Sequence, residues 1–319
     1  MVMSSMKDLI QKAVPHLQVP ELNVANVYDF VQMKLPPREN ILSPWLPVQG
    51  LAMIYAPRGV GKTHVALGIA HAVTSGTEFL GWKAPKPRSV LYLDGEMPAA
   101  LMQERLLSLV SAPPLASFKL LTPDLQQGPM PDLATHKGQL SLEPYLEGID
   151  LLIVDNISTL CRSSKENEAD SWLPVQEWAL QMRSKGKSIL FIHHAGKGGN
   201  QRGTSKREDI LDTVIVLKRP DDYNPKDGAI FQVNFEKSRG FMGEDAESFE
   251  AQLINKNETQ EWLRKPVAGS SYDQVVDLTN QGFKQKEIAE KLNIDKSNVS
   301  RHLKRANQEG KIAVAASPL

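Results

Sequence analysis

The pattern of apolar and polar positions divides the chain into three unequal stretches. Up to about Pro44 the apolar residues are scattered among Pro15, Pro20, Pro36, Pro37 and Pro44, and the spacing predicts only short helices such as Val24–Met33. From Leu51 short apolar runs alternate with longer amphipathic segments. The runs Leu51–Tyr55, Val90–Leu93, Leu151–Val154, Ile189–Ile192 and Val214–Leu217 are bounded by turn residues and charges, as strands buried on both faces are. Between them the helical period appears in His64–Thr74, in Ala99–Val110 behind Pro98, and in Asp170–Lys185, where Trp172, Val175, Trp178 and Met182 share a face. Strands alternating with helices predict an α/β fold with a mostly parallel, doubly wound sheet. Ala229–Glu236 and Phe249–Ile254 follow without helices between them and predict an antiparallel edge.

The last stretch is helical and stands apart. Residues 265–271 read as a linker, and the tail predicts helices at Tyr272–Gln281, Lys284–Leu292 and Lys296–Asn307. The expected organisation is an arm over 1–38, an α/β domain over 39–264, the linker, and a small helical domain over 272–319, with or without a wing.

Composition narrows the function. Lys plus Arg equals Asp plus Glu at 37 each, so any nucleic-acid binding comes from local patches. Cys161 is the single cysteine, which excludes an internal disulfide framework and fits a reducing cytoplasm. No apolar run is long enough to span a membrane.

The strongest chemical signal is Ala56-Pro57-Arg58-Gly59-Val60-Gly61-Lys62-Thr63, followed by His64. An apolar strand precedes it and an amphipathic helix follows, the context in which backbone N–H groups wrap a phosphate chain. Gly59 and Gly61 allow the close approach. Lys62 is placed for the β- and γ-phosphates, and Thr63 for Mg²⁺. ATP and Mg²⁺ are the expected ligands. Asp155 ends the apolar strand Leu151–Val154, which is expected to lie beside the cradle strand and to bring the carboxylate to the metal. Glu96, with Asp94 as second choice, is the candidate to polarise the attacking water. His193 and His194 end another strand, where a polar residue can touch the γ-phosphate. The competing readings are a metal-binding pair and a structural pair.

In this order, the cradle, Glu96, Asp155 and the His pair resemble the RecA-fold P-loop ATPases, and within them the RepA/DnaB-like hexameric replicative helicases. Leu35-Pro-Pro-Arg-Glu-Asn-Ile-Leu42 resembles the segment that opens RepA-like domains. His193-His-Ala-Gly-Lys-Gly-Gly-Asn-Gln-Arg-Gly-Thr-Ser205 resembles their sensor strand and glycine-rich loop, and Glu236-Lys-Ser-Arg-Gly240 their K-x-R segment. The resemblance spans about residues 35–255. It implies His194 as γ-phosphate sensor, Lys237 and Arg239 as fingers reaching into a neighbour's site, and a homo-oligomer, with a hexamer expected. The loop Lys197–Arg207 carries Lys197, Arg202, Lys206 and Arg207 and no acid, so it suits a single-stranded backbone in a central channel.

The tail resembles a helix-turn-helix. Its last helix carries Lys296, Asn298, Arg301, Lys304 and Arg305 on the outer side, the donors a major groove needs, though the tail's net charge is only about +2. Duplex DNA or a replication protein is the expected partner there. The leading expectation is a ring-forming DNA helicase or translocase of a plasmid or other mobile element. The alternatives are an ATP-switched DNA-binding regulator or helicase loader, and a RecA-like repair ATPase. The phosphate loop lacks the extra early lysine of partition-type ATPases.

Overall fold

The computed structural model describes residues 22–110, 112–162, 172–196, 205–220, 223, 228–256, 259–267, 271–292, 294 and 296–312. The chain divides into two compact units between Arg38 and Glu39. In the first, helix α1 (Val27–Gln32) starts where the Asn26 side chain accepts from the Tyr28 N–H at 2.9 Å, and none of its residues is buried. It is shorter than the expected Val24–Met33 because Asn26 and Met33 are extended.

The second unit is built on a nine-stranded sheet: β1 (Leu51–Ala56), β2 (Val90–Asp94), β3 (Phe118–Leu121), β4 (Leu151–Asp155), β5 (Ser188–His194), β6 (Thr213–Lys218), β7 (Ile230–Ser238), β8 (Phe249–Lys256) and β9 (Thr259–Pro266). Their spatial order is β9-β8-β7-β6-β1-β5-β4-β2-β3. From β6 to β3 every neighbouring pair is parallel, and from β6 to β9 every pair is antiparallel. This is the expected α/β class with a mostly parallel central sheet. One expectation is corrected. The strand ending at Asp155 does not adjoin the cradle strand; β5 lies between β4 and β1.

Both faces of the parallel strands are covered, which explains their unbroken apolar runs. Ala52, Ile54, Leu190, Ile192 and Ile153 belong to one core with α2 (Lys62–Ser75) and Met102 of α3 (Ala99–Leu109). Leu51, Met53, Ile189, Phe191 and Val154 belong to the other, with Trp172 and with Val175, Trp178 and Met182 of α6 (Leu173–Ser184). Two smaller helices, α4 (His136–Leu142) and α5 (Ile157–Leu160), flank β4 in the chain.

Two strands were not legible. β3 is an edge strand with no fully buried residue, and its sequence Phe-Lys-Leu-Leu is too short to show a period. β9 runs two residues into the expected linker, through Lys265 and Pro266. Its Trp262 packs on Phe79 and Phe231, at ring-centroid distances of 5.9 and 5.4 Å, while most of the strand's other residues are polar or charged.

The tail folds as α7 (Ser271–Asn280), α8 (Gln285–Leu292) and α9 (Lys296–Gln308) and belongs to the same compact unit as the sheet. Val275, Leu278, Ile288, Ala289 and Val299 form its core, with Leu292 and Leu303 packed against them. Glu287 accepts from the Lys284 N–H at 2.7 Å, half of a capping box that starts α8.

Candidate nucleotide-binding site

The loop between β1 and α2 turns at Gly59 and Gly61, with φ of 74° and 115°, backbone that L side chains rarely adopt. Gly61 is the N-cap of α2, so the first free N–H groups of that helix and its dipole point into the loop. Lys62 is 7% exposed and donates to the carbonyls of Ala56 at 3.1 Å and Pro57 at 3.0 Å. Burial lowers its pKa, while Asp155 and Glu96 pull it back up.

Strand parity distributes the remaining groups, because successive side chains face opposite sides of the sheet. Tyr92, Asp94, Asp155 and His194 are in step with residues of the core that contains α2. A cavity of about 640 Å³ brings together Arg58, Lys62, Thr63, Glu96, Asp155 and His194. Gly59, Gly61, His64, Asn156, Arg105, Tyr223 and Ala229 complete its wall. Asp155 is buried, accepts from the Tyr92 hydroxyl at 2.6 Å, and is hydrogen-bonded by the Thr63 side chain. Burial raises its pKa to about 6, with Asp94 and Glu96 adding to the rise and the two hydroxyl contacts opposing it. A hydroxyl beside a carboxylate crowded by other acids is a fitting donor set for a hard divalent cation such as Mg²⁺. Glu96 is exposed to the cavity, whereas Asp94 caps the turn beneath it through the Met97 N–H and accepts from Thr122 Oγ1 at 3.0 Å. Burial followed by Arg105 lowers the pKa of His64.

The two histidines part company. His193 is in step with the opposite core, fully buried, with Nε2 2.9 Å from Arg207 Nη1. Adjacent strand residues on opposite faces cannot close on one metal ion. Arg207, expected in a DNA-contacting loop, is corrected by the same geometry. It is 3% exposed and its guanidinium lies 5.4 Å from the Trp172 ring centroid, so a solvated phosphate backbone does not reach it. Lys197 and Arg202 lie outside the described residues, and Lys206 falls in the short turn Ser205–Glu208. Burial pushes the Cys161 thiol well up, so it stays protonated.

Lys237 and Arg239 lie at the other end of the sheet. Lys237 pairs with Val214, which pairs with Met53, and Ser238 with Thr213, level with Ala52. At about 3.3 Å per residue this level is roughly 10 Å below the start of the phosphate loop. The Lys237 amine is bonded to the Glu208 carbonyl and lies 3.4 Å from that of Asp209, while Arg239 is exposed. In the tail, Lys296, Arg301 and Lys304 are exposed and Asn298 and Arg305 half-buried.

Sequence reasoning missed Arg105, Arg219 and Tyr223. Arg219 donates to the Gly59 carbonyl at 3.1 Å and its guanidinium lies 4.4 Å from the ring centroid of Tyr223, which lines the cavity. The usable signal was position. Both follow the carboxyl end of β6, where parallel sheets bind ligands. Arg105 has no such signature, being a charge on an otherwise solvated helix face.

A winged helix-turn-helix DNA-binding family matches residues 279–313. The structure of a KaiC-like protein from the hyperthermophilic archaeon Pyrococcus horikoshii OT3 aligns over 70% of this chain and 94% of that one, at 14% identity and a TM-score of 0.49. The AAA domain family matches residues 18–200, more than half of the chain. With a P-loop cradle, an adjoining acid–hydroxyl pair and that match, the chain belongs to the AAA domain family of P-loop ATPases.

Proposed function

We propose that the chain is a ring-forming, DNA-dependent ATPase of the RepA/DnaB-like branch, a replicative helicase or translocase of a plasmid or other mobile element. The observation that carries this reading is the position of Lys237 and Arg239. They lie too far from their own phosphate loop to serve it, at the opposite end of the same sheet. A cation so placed fits a neighbouring subunit's site, where it stabilises charge developing on the transferred phosphoryl group. Because the Lys237 amine is held by carbonyls of its own chain, Arg239 takes the larger share.

Within one site, the loop amides and Lys62 hold the phosphates, and Thr63 and Asp155 hold Mg²⁺. When bound, Mg²⁺ would supply charge that neutralises the phosphates. Glu96 orients and polarises water, and His194, at the end of β5 between the cradle strand and the Asp155 strand, contacts the γ-phosphate. Tyr223, backed by Arg219, offers a face for the base. Lys197, Arg202 and Lys206 contact single-stranded DNA, and the tail contacts duplex DNA.

A second reading, an ATP-switched DNA-binding regulator or helicase loader, is favoured by the seating of α9 on the ATPase unit through His302 and Glu247, 3.1 Å apart. ATP hydrolysis with and without single-stranded DNA, combined with strand displacement, decides between them. The helicase reading expects DNA-stimulated hydrolysis and displacement by the wild type, and neither by Lys62→Ala. Hydrolysis that DNA stimulates without displacement leaves the regulator reading.

A further inference from the structure

The turn Gly243–Ala246 and the next residue join β7 to β8 and carry Glu244, Asp245 and Glu247. Helix α9 lies against them. His302 is 2% exposed, and its Nε2 is 3.1 Å from Glu247 Oε1. One turn on, Arg305 pairs with Glu309 just past the end of its own helix, Nε to Oε1 2.8 Å, and lines a cavity of about 410 Å³ with Glu244, Asp245 and Glu247 and with the basic Arg264 and Lys265. One turn back, Asn298 lines a smaller one with Gly243, Glu244 and Glu247. The Arg301 guanidinium stands over Gly243, where an added Cβ would lie 3.2 Å from Nη1. Positions 298, 301, 302 and 305 fall on one stripe of a 3.6-residue helix. The stripe that folds the tail is a different one, containing Val299, Leu303 and Ala306. The helix therefore has a second contact face, and that face holds Asn298, Arg301 and Arg305, side chains expected to meet duplex DNA.

We propose that the acidic turn is a built-in competitor for DNA, so that α9 engages either Glu244, Asp245 and Glu247 or the phosphates of a duplex, but not both. The proposal rests on the reading of the tail as a duplex-binding module. Two physical effects enforce the exclusion. The turn packs against the stripe at His302 and under Arg301 at Gly243, where a phosphate backbone would have to lie, and a duplex brought to the docked helix meets three carboxylates only partly offset by Arg264 and Lys265. The docked fraction then lowers the apparent DNA affinity in proportion. Lys296 and Lys304 are exposed and lie off the stripe, so they give the docked chain a weak grip on DNA.

The test uses the full chain and a fluorescein-labelled mixed-sequence duplex, read by anisotropy. The triple variant Glu244→Gln, Asp245→Asn, Glu247→Gln is expected to bind about tenfold more tightly than wild type. A control with the same change in charge, Glu104→Gln, Glu147→Gln, Glu177→Gln, is expected to shift affinity by less than about twofold, since distant exposed charges are screened. Equal affinities for the two triples overturn the proposal. Two further measurements separate its failure from failure of the DNA reading. Lys304→Ala is expected to weaken binding in both the wild-type and the acidic-turn backgrounds; no effect in either removes α9 from the DNA contact and the proposal with it. Amide exchange in α9 is expected to quicken in the acidic-turn variant. Faster exchange with unchanged DNA affinity shows docking that does not compete with DNA, which also overturns it.

Discussion

Asp155 concentrates the chemistry of the site in one residue. Its folded pKa is raised to about 6 from 3.8. The folded metal-free chain thus holds this proton more tightly than the unfolded chain does. The group's contribution to stability is full below about pH 4 and is lost as the pH rises through 6. At pH 7.5 the buried carboxylate is ionised, at a cost of about 3 kcal/mol that a cation offsets. Asp155→Asn is therefore expected to raise the melting temperature of the metal-free chain by several degrees at pH 7.5, with the gain shrinking at pH 5. The same variant loses stabilisation by Mg²⁺ and ATP. Calorimetry at the two pH values checks this, and a variant less stable at both contradicts it. Glu96 makes a different prediction, because it faces the cavity without holding the fold. Glu96→Gln should still bind nucleotide while hydrolysis falls by about 10² to 10⁴, as measured by nucleotide binding beside steady-state phosphate release. These acids and the phosphate loop stand out in the sequence because each follows an apolar strand, but the strand that separates Asp155 from the cradle strand does not. Parity along β5 separates His193 from His194, but assigning the two faces needed the structure. Arg207 was misplaced for the same reason. A charge in a glycine-rich loop looks solvated until the fold buries it against Trp172 and His193.

At the scale of elements, the strand–loop–helix unit holds the cradle rigid. Helix α2 carries no acidic or basic residue in its first or last turn among Lys62–Ser75 apart from Lys62 and His64, and it is buried along most of its length. Its seat includes Gly68, where an added Cβ would lie 2.2 Å from the Phe79 ring. Gly68→Ala is expected to overpack this contact and cost about 1–3 kcal/mol, seen as a lower denaturation midpoint and weaker nucleotide binding. Phe79→Leu should restore part of both. The central strands were legible because burial on both faces leaves long apolar runs. β3 and β9 were not, since an edge strand or one that buries a single large ring leaves no period to read. The order of strands was also beyond sequence. Nothing local in Leu151–Asp155 says that β5 will insert between it and the cradle strand, although that insertion is what sets His194 between the cradle strand and the Asp155 strand.

At the scale of the whole molecule, the two ends of the sheet have different jobs. One end holds the phosphate loop, Asp155 and His194, and the other carries Lys237 and Arg239. In the ring we propose, each subunit contributes half of a site and its neighbour the other half. The tail adds a second contact of the same kind within one chain, through the acidic turn and α9. The direct test of the central claim mixes two single variants. Lys62→Ala lacks the phosphate contact and Arg239→Ala lacks the finger, and each alone is expected to be nearly inactive in DNA-stimulated ATP hydrolysis. Mixed, they form some interfaces with an intact Lys62 on one side and an intact Arg239 on the other, and activity is expected to return. A mixture as inactive as its components, or an Arg239→Ala protein that hydrolyses ATP like the wild type, contradicts the shared site.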